Sequence, residues 1–355
     1  MEFGVTFFPT VGPADKDGAT YYDEALSVAE HADALGFQHV KIVEHYFFRY
    51  GGYSPDPVTF LAAAAARTRR IRLITGTVLP AFTHPVKLAG KLAMLDNLSH
   101  GRLEVGFGRA FLPDEFAAFG VSIDDSRALF EENVEAIRRL WTEEDVVWEG
   151  RFHKFGPVTL QPRPVQRPHP PTHVATAMSL ESCESAGRAG HHLLLVPATS
   201  SVEKAQEMLG AYRAARAAAG HEGPGRVQFS YPTYVAEDGD EARRLARKDD
   251  EAYNQRMAEA VSAWGRVSSS AYPGYERILE ATRTYDFDKK LEADKLLAGS
   301  PAEVRAQIER IQGWFGPDIT LSLTIHSGLL PVEVAKRSTE LFARQVAPHF
   351  ATPAR

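Results

Sequence analysis

Residues 71–107 read IRLITGTVLPAFTHPVKLAGKLAMLDNLSHGRLEVGF. This stretch holds a β-branched run at Ile71–Leu79, an amphipathic run at Pro85–Leu98 and a second apolar run at Leu103–Phe107. Short apolar runs on either side of a longer amphipathic one are typical of two parallel strands joined by a helix. We therefore predict a strand–helix–strand unit here.

The same alternation continues in both directions along the chain and yields eight predicted strands, each followed by a predicted helix. The strands are Phe3–Phe8, Val40–Glu44, Ile71–Leu79, Leu103–Phe107, His173–Ala177, Leu193–Val196, Val227–Val235 and Ile319–Ile325. The helices are Tyr22–Leu35, Pro57–Arg67, Pro85–Leu98, Arg127–Trp141, Leu180–Ala189, Val202–Ala219, Ala302–Trp314 and Val332–Val346. Eight consecutive strand–helix units predict an α/β fold, the (β/α)8 TIM barrel, as a single domain spanning residues 1–355.

Two segments are longer than the connections that eight strand–helix units require. The first, Val146–Pro171, follows strand four and is rich in proline, glycine and aromatic residues, which predicts a hairpin or a surface crossing. The second, Asp240–Leu297, follows strand seven and shows helix-like charge patterning that is interrupted by the polar stretch Gly265–Tyr275. Because such a loop lies above the mouth of the barrel, it is a candidate lid.

The composition excludes several classes of protein. Hydrophobic residues make up 44% of the chain and the formal net charge is −6 without a local Lys/Arg cluster, so we expect a folded protein with no nucleic-acid partner. The single cysteine, Cys183, excludes an intrachain disulfide and a zinc site built from several thiolates. Residues 1–10 do not resemble a signal peptide, and no window is apolar enough for a transmembrane helix, so we expect a cytoplasmic protein with no membrane association.

Polar and aromatic residues follow several predicted strands, where the active site of a TIM barrel lies. His45 comes directly after strand two and is followed by the aromatic residues Tyr46, Phe47 and Phe48. A histidine exchanges protons near neutral pH, and aromatic neighbours exclude water, so His45 is a candidate general acid or base. The alternative is a histidine that is packed in the barrel mouth with its hydrogen bonds satisfied. Position alone leaves both interpretations open.

A phosphate site is predicted after strands four and five. Arg109 follows two glycines that allow close approach of a ligand, and a guanidinium matches the oxygens of a phosphate. Ser179 precedes a predicted helix whose first N–H groups form an anion site. The alternative is that Arg109 pairs with Asp114 or Glu115 and that Ser179 only caps its helix.

Several common catalytic motifs are missing from the chain. Phe111 stands where a dinucleotide-binding GxGxxG motif needs its third glycine, and GxxxxGK[ST], GxSxG and HExxH do not occur. His191 and His192 are adjacent on a predicted strand and point to opposite faces, so we predict no metal site. The stretch Leu95–Arg102 precedes strand four, at the bottom of the barrel, where residues generally serve stability.

Six short motifs match a known pattern in their order and spacing: Leu35–Phe37, Glu44–Phe47, Thr83–Pro85, Leu95–Arg102, Gly106–Arg109 and Ser126–Leu129. With these motifs the chain resembles the bacterial luciferase-like flavin monooxygenases. The resemblance covers nearly the whole chain and is densest from Gly4 to Phe155. Two departures, Gly108 in place of a cysteine and Tyr46 in place of a second histidine, argue against a light-emitting role.

The resemblance implies that reduced flavin mononucleotide (FMN) binds in the barrel mouth, with His45 near the reacting edge of the isoalloxazine, where it manages protons at the peroxyflavin. It implies that the flavin phosphate binds to Arg109, with serines of the following unit and a second arginine nearby. It also implies a non-prolyl cis peptide under the flavin ring, at Thr75–Gly76 or Gly76–Thr77. The predicted cofactor-binding residues are Glu44, Thr75, Gly76, Thr77, Arg109, Arg127, Met178, Ser179 and Ser182.

The function implied by the resemblance is that of a two-component monooxygenase. A separate flavin reductase would supply reduced FMN, dioxygen would be the co-substrate, and a small or medium organic molecule would be oxygenated. A deazaflavin-dependent hydride-transfer oxidoreductase is one alternative, and a non-catalytic flavin-binding barrel is another. The resemblance and the apolar face of Pro85–Leu98 also predict a homodimer.

Overall fold

A computed structural model of the chain describes residues 1–177, 179–196 and 200–350. Its strands are β1 Glu2–Phe7, β2 His39–Ile42, β3 Arg72–Thr75, β4 Leu103–Phe107, β5 Val146–Glu149, β6 Lys154–Val158, β7 Thr172–Thr176, β8 His192–Leu195, β9 Val227–Val235, β10 Leu297–Gly299 and β11 Ile319–His326. Its α-helices are α1 Gly18–Leu35, α2 Pro57–Arg67, α3 Pro85–Leu98, α4 Pro113–Ala118, α5 Ser126–Thr142, α6 Leu180–Arg188, α7 Val202–Ala218, α8 Gly239–Ala260, α9 Glu276–Arg283, α10 Phe287–Glu292, α11 Pro301–Phe315 and α12 Val332–Leu341.

Eight parallel strands of the described residues close into a barrel in the order β1, β2, β3, β4, β7, β8, β9 and β11. Pairing of β8 with β9 and of β11 with β1 completes the closure. Helices lie between successive strands, so the predicted TIM barrel is confirmed, and each of its strands falls where the sequence predicts one. The carboxyl ends of all eight strands therefore meet at one mouth.

Both predicted insertions are present. Strands β5 and β6 form an antiparallel hairpin between α5 and β7. After β9 come α8, α9, α10 and the short strand β10, which pairs with the last residues of β9. Helix α4, which begins at Pro113 beyond the end of β4, is not predicted from the sequence.

The third barrel strand is shorter than predicted. It ends at Thr75, whereas the sequence favours a strand as far as Leu79. The backbone N–H of Leu79 donates to a carboxylate oxygen of Glu44 at 3.0 Å instead of to a neighbouring strand. Only Val78 keeps a β-bridge, to Phe107 of β4. At Leu79 a side-chain acceptor thus replaces a backbone acceptor of a neighbouring strand.

The barrel interior is polar, whereas the space between barrel and helices is filled by aliphatic and aromatic side chains. Thr6 Oγ1 lies 2.6 Å from Ser322 Oγ, and His39 Nε2 lies 2.7 Å from the same hydroxyl. Lower in the barrel, Glu104 accepts a hydrogen bond from His173 Nε2 at 2.7 Å and forms a 2.7 Å ion pair with Arg226. These hydrogen bonds and the ion pair link side chains across the barrel interior, although Nδ1 of His39 and Nδ1 of His173 are buried with no hydrogen-bond partner among the described residues.

The stretch Leu95–Arg102 lies at the bottom of the barrel, as predicted. The carboxylate of Asp96 accepts hydrogen bonds from the backbone N–H groups of Val165 and Gln166. The guanidinium of Arg102 donates to the carbonyl oxygens of Ala65 and Ile71. This stretch therefore fixes loops in place. None of the helices described is both long and apolar enough to span a membrane.

Candidate active site

A cavity of about 590 Å³ opens at the carboxyl ends of the barrel strands. It is bounded by the ends of β2, β3, β4 and β7, by helices α5 and α6, and by the candidate lid segment, residues 265–275. The predicted site residues that line it are Glu44, His45, Gly76, Thr77, Arg109, Arg127, Ser179 and Ser182. The buried Thr75 bonds to the backbone of Gly106 instead of lining the cavity, and Met178 lies outside the described residues.

His45 is buried in the loop after β2 and is held by a carboxylate. Its Nδ1 lies 3.2 Å from Glu115 Oε1, and the same oxygen accepts the backbone N–H of Tyr46 at 2.9 Å. Glu115 is fully buried on α4. With Nδ1 donating to this carboxylate, Nε2 is the nitrogen of the neutral ring that accepts a proton.

The ring of His45 is surrounded by aromatic side chains. Ring centroids of Phe8, Tyr50 and Phe111 lie 5.8, 5.1 and 5.7 Å from that of His45. These contacts and the Glu115 carboxylate fix the orientation of the imidazole. The arrangement meets the geometric needs of a general acid or base, because the imidazole lines the cavity while a carboxylate supports it.

Glu44 is buried and accepts two hydrogen bonds. Its carboxylate accepts the backbone N–H of Leu79 and the hydroxyl of Tyr46. Burial raises the pKa of Glu44 to about 8, and this effect outweighs the two hydrogen bonds, which favour the charged form. The carboxyl group therefore holds its proton at neutral pH while joining the loops that follow β2 and β3.

The backbone after β3 approaches its neighbours very closely. The Gly76–Thr77 peptide bond is cis, which is the second of the two positions implied by the resemblance. A Cβ atom on Gly76 would lie 2.2 Å from Cγ of Lys41, and one on Gly108 would lie 2.1 Å from the hydroxyl oxygen of Thr77. Glycines at 76 and 108 are thus needed to form this wall of the cavity.

Lys41 is a cavity residue that the sequence reasoning did not select. Its side chain extends inward from β2, and Nζ donates to Ser230 Oγ at 3.0 Å and to Gln228 Oε1 at 3.5 Å. Burial lowers the pKa of Lys41 to about 7. The signal in the sequence was a single lysine among the apolar residues of the stretch His39–Val43. Because successive side chains of a strand point to opposite faces, Lys41 lies on the inner face.

Arg109 joins the cavity to the candidate lid segment. Its Nη2 donates to the carbonyl oxygen of Ala271 at 2.6 Å, and its guanidinium carbon lies 4.2 Å from the centre of the Tyr272 ring. Its Nη1 is buried and has no hydrogen-bond partner in the described part of the chain. Arg109 forms no ion pair with Asp114 or Glu115 there, so the structure does not support that alternative.

Ser179 is the N-cap of α6, and its side chain accepts the backbone N–H of Ser182 at 3.1 Å. The capping role considered for Ser179 is therefore real, and it accompanies a position at the cavity wall. Arg127, on α5, also lines the cavity and forms a 3.2 Å ion pair with Glu181. Two arginines and the N-terminus of α6 thus border one part of the cavity.

Comparison with known proteins identifies the family. A model of the luciferase-like monooxygenases matches residues 1–316. The chain belongs to this family. Among solved structures, the crystal structure of monooxygenase RslO1 from Streptomyces bottropensis is 56% identical with a TM-score of 0.90, and the match covers 99% of this chain and 100% of that one.

Two curated relatives carry named activities. Limonene 1,2-monooxygenase of Rhodococcus erythropolis is 29% identical over 361 residues, which cover 99% of this chain and 87% of that protein. The oxygenase component of the flavin-dependent trigonelline monooxygenase of Acinetobacter baylyi is 31% identical over 235 residues, 66% of this chain and 64% of that protein. The chain spans about half the length of other curated relatives, which are uncharacterised.

The cavity of this luciferase-like protein fits a phosphorylated flavin. The buried Nη1 of Arg109 is a donor without an acceptor, which a phosphate oxygen would satisfy. Gly76 and Gly108 leave a smooth wall where a side chain would otherwise intrude. Within the residues that the structure describes, no group of three or more histidine, cysteine or acidic side chains is arranged to hold a metal ion.

Proposed function

We propose that the protein is the oxygenase component of a two-component, FMN-dependent monooxygenase. A separate reductase supplies reduced FMN, and the enzyme uses dioxygen to oxygenate a small or medium organic substrate. The observation that carries this proposal is that one cavity is lined both by Arg109, whose Nη1 has no partner among the described residues, and by His45, which the Glu115 carboxylate supports from outside the cavity. Membership of a monooxygenase family and the trigonelline relative, itself an oxygenase component, support it.

Cofactor binding is assigned to the two sides of the cavity. Arg109, Arg127, Ser182 and the N-terminus of α6 at Ser179 would hold the phosphate, since guanidinium groups and free helical N–H groups both favour a phosphomonoester. The wall formed by Gly76 and Thr77 would lie against the flavin ring, with Thr75 behind it, bonded to Gly106, and with Glu44 as a further residue that lines the cavity. Met178 is proposed as a further contact on the resemblance alone.

Reduced FMN supplies the electrons that activate dioxygen, and the residues of the chain control protons and water. His45 Nε2 exchanges a proton at the reacting centre, while Glu115 holds Nδ1 and stabilises the protonated ring. Phe8, Tyr50 and Phe111 surround the imidazole and keep water from it. The candidate lid segment closes the cavity from above.

The proposal is tested by supplying reduced FMN to the protein in oxygenated buffer and measuring oxygen uptake, hydrogen peroxide and product from candidate substrates. Oxygen uptake with reduced FMN distinguishes a monooxygenase from a deazaflavin-dependent dehydrogenase. Product formation distinguishes it from a non-catalytic flavin-binding barrel. His45→Ala should bind FMN normally, form product about 10²–10⁴-fold more slowly and release more hydrogen peroxide. Normal product yield from this variant would remove His45 from the catalytic role.

We also propose a homodimer. Helix α3 exposes two apolar side chains one turn apart, Met94 at 57% and Leu98 at 51%. Apolar side chains spaced by four residues lie on one face of a helix, which suits contact with a second copy of the chain.

A further inference from the structure

Lys41 is a buried amine with no counterion in the part of the chain that the structure describes. The residue is 2% exposed, and the two acceptors of its Nζ, Ser230 and Gln228, are both uncharged. No ion pair formed within residues 1–177, 179–196 and 200–350 includes Lys41. A buried ammonium is costly unless a negative charge meets it. Fold stability therefore does not explain a lysine at this position.

The position of Lys41 relates it to the proposed flavin ring. Its stem passes directly against Gly76, where a Cβ atom would lie 2.2 Å from Lys41 Cγ. Gly76 and Thr77 form the cavity wall against which the proposed ring lies, and Lys41 itself lines the cavity. An ammonium group has three N–H donors, and two of them have acceptors among the described residues. One donor remains for a ligand.

We propose that Lys41 is a cofactor-binding residue whose ammonium group is the counterion of the reduced flavin ring. This inference rests on the proposed function, because it requires FMN in this cavity. Oxidised FMN takes up two electrons from the separate reductase and one proton to give an anionic reduced ring, whose charge is shared by N1 and the neighbouring carbonyl oxygen. The ring of oxidised FMN is neutral. A fixed cation in a site of low dielectric therefore stabilises the reduced form selectively.

The measurable consequence is a difference between two affinities. Lys41→Met removes the charge at similar length, and it should weaken binding of reduced FMN at least about tenfold more than binding of oxidised FMN. By the thermodynamic cycle, a tenfold change lowers the midpoint potential of the bound two-electron couple by about 30 mV. Both the dissociation constants, measured anaerobically, and the potential report binding and not turnover.

Three further variants make the test specific. Lys336→Met removes a lysine that pairs at the surface with Glu333, and it should leave the ratio of the two affinities unchanged. Lys41→Arg keeps the charge and should restore part of the preference for reduced FMN. Lys41→Gln is the second neutral variant, to be used if the methionine variant does not fold as judged by circular dichroism.

The outcomes separate this inference from the proposed function. A wild-type protein that binds neither form of FMN overturns both. Normal FMN binding in the wild type, together with an unchanged ratio in a folded neutral variant, overturns only the role of Lys41. A folded neutral variant that loses the preference for reduced FMN over oxidised FMN, together with partial recovery of that preference in Lys41→Arg, supports it.

Discussion

Tyr272 holds Arg109 from two directions: its ring centre lies 4.2 Å from the guanidinium carbon, and its hydroxyl donates to the carbonyl oxygens of Arg109 and Ala110 at 3.1 and 2.9 Å. Arg109 in turn donates to Ala271. The candidate lid segment is therefore fastened to the residue proposed to bind the phosphate. The position of the candidate lid segment and the proposed phosphate contact therefore depend on the same residues.

Arg109→Ala should weaken FMN binding by roughly 1.5–3 kcal/mol, the range for hydrogen bonds to charged groups. Riboflavin, which lacks the phosphate, should lose much less affinity, since any effect of a loosened lid acts on both ligands. Parallel fluorescence titrations with the two ligands measure the difference. Arg138→Ala, on the exposed side of α5, is the control. Equal losses for FMN and riboflavin would contradict a phosphate contact.

Tyr272→Phe should loosen the lid segment while leaving the ring over Arg109. Loss of the hydroxyl removes a buried donor to two carbonyl groups, which costs about 0.5–1.5 kcal/mol. Hydrogen–deuterium exchange of residues 265–275 should therefore become up to roughly tenfold faster. Tyr275→Phe is the matched control, because the Tyr275 hydroxyl has no hydrogen bond within the described residues. Equal exchange in both variants would show that the hydroxyl does not hold the lid.

Glu115→Gln tests whether the carboxylate acts through His45. The amide still accepts a hydrogen bond from Nδ1, but it no longer stabilises a protonated ring. Product formation should fall roughly 10- to 100-fold while FMN affinity stays constant, since about 1.5–3 kcal/mol is lost with the charge. Adding Glu115→Gln to His45→Ala should cause no further loss, because the two residues act together. Additive losses would assign Glu115 a separate role.

Glu44→Gln should change how stability depends on pH. The pKa of Glu44 is raised to about 8 in the folded protein from an ordinary value of 4.5, so the folded state holds a proton that the unfolded chain releases between these values. The contribution of this proton uptake to the free energy of unfolding is complete below pH 4.5. It is lost as the pH rises through 8, by up to about 1.4 kcal/mol per pH unit.

Denaturant unfolding at pH 5 to 8 measures this effect as the difference between wild type and Glu44→Gln. The free energy of unfolding of the wild type, relative to that of Glu44→Gln, should fall as the pH rises, so the difference shrinks or reverses. Glu149→Gln, at an exposed carboxyl group of the β5–β6 hairpin, should follow the wild type throughout. A constant difference between wild type and Glu44→Gln would mean that Glu44 is charged in the folded protein.

Leu98→Glu should shift the proposed homodimer towards monomer, because a charge on the exposed face of α3 would be buried at the contact. Light scattering at micromolar concentration measures the mass. Val147→Glu, at a position 50% exposed on β5, is the control. A wild-type protein that is already monomeric would contradict the assembly.

The sequence predicts the eight barrel strands because their β-branched, apolar composition is a local signal. The end of β3 was not predictable, since the N–H of Leu79 bonds to a side chain 35 residues away. The Glu115 contact is hidden for the same reason: His45 and Glu115 are 70 residues apart and meet only in the folded barrel. Motif resemblance selects residues such as His45 and Arg109, but it does not reveal what holds them in position.

The close fit of Gly4 against His39 makes the barrel interior a case of epistasis. A Cβ atom at position 4 would lie 2.3 Å from the imidazole ring, and that ring contacts the Ser322 hydroxyl. Enlarging residue 4 is therefore tolerated only after residue 39 has become smaller, and that change removes one of the two hydrogen-bond partners of the Ser322 hydroxyl, the other being Thr6. Directed evolution of the interior should accordingly vary residues 4, 39 and 322 together. In libraries that change one position at a time, the first substitution of each compatible combination would be destabilising and would be lost.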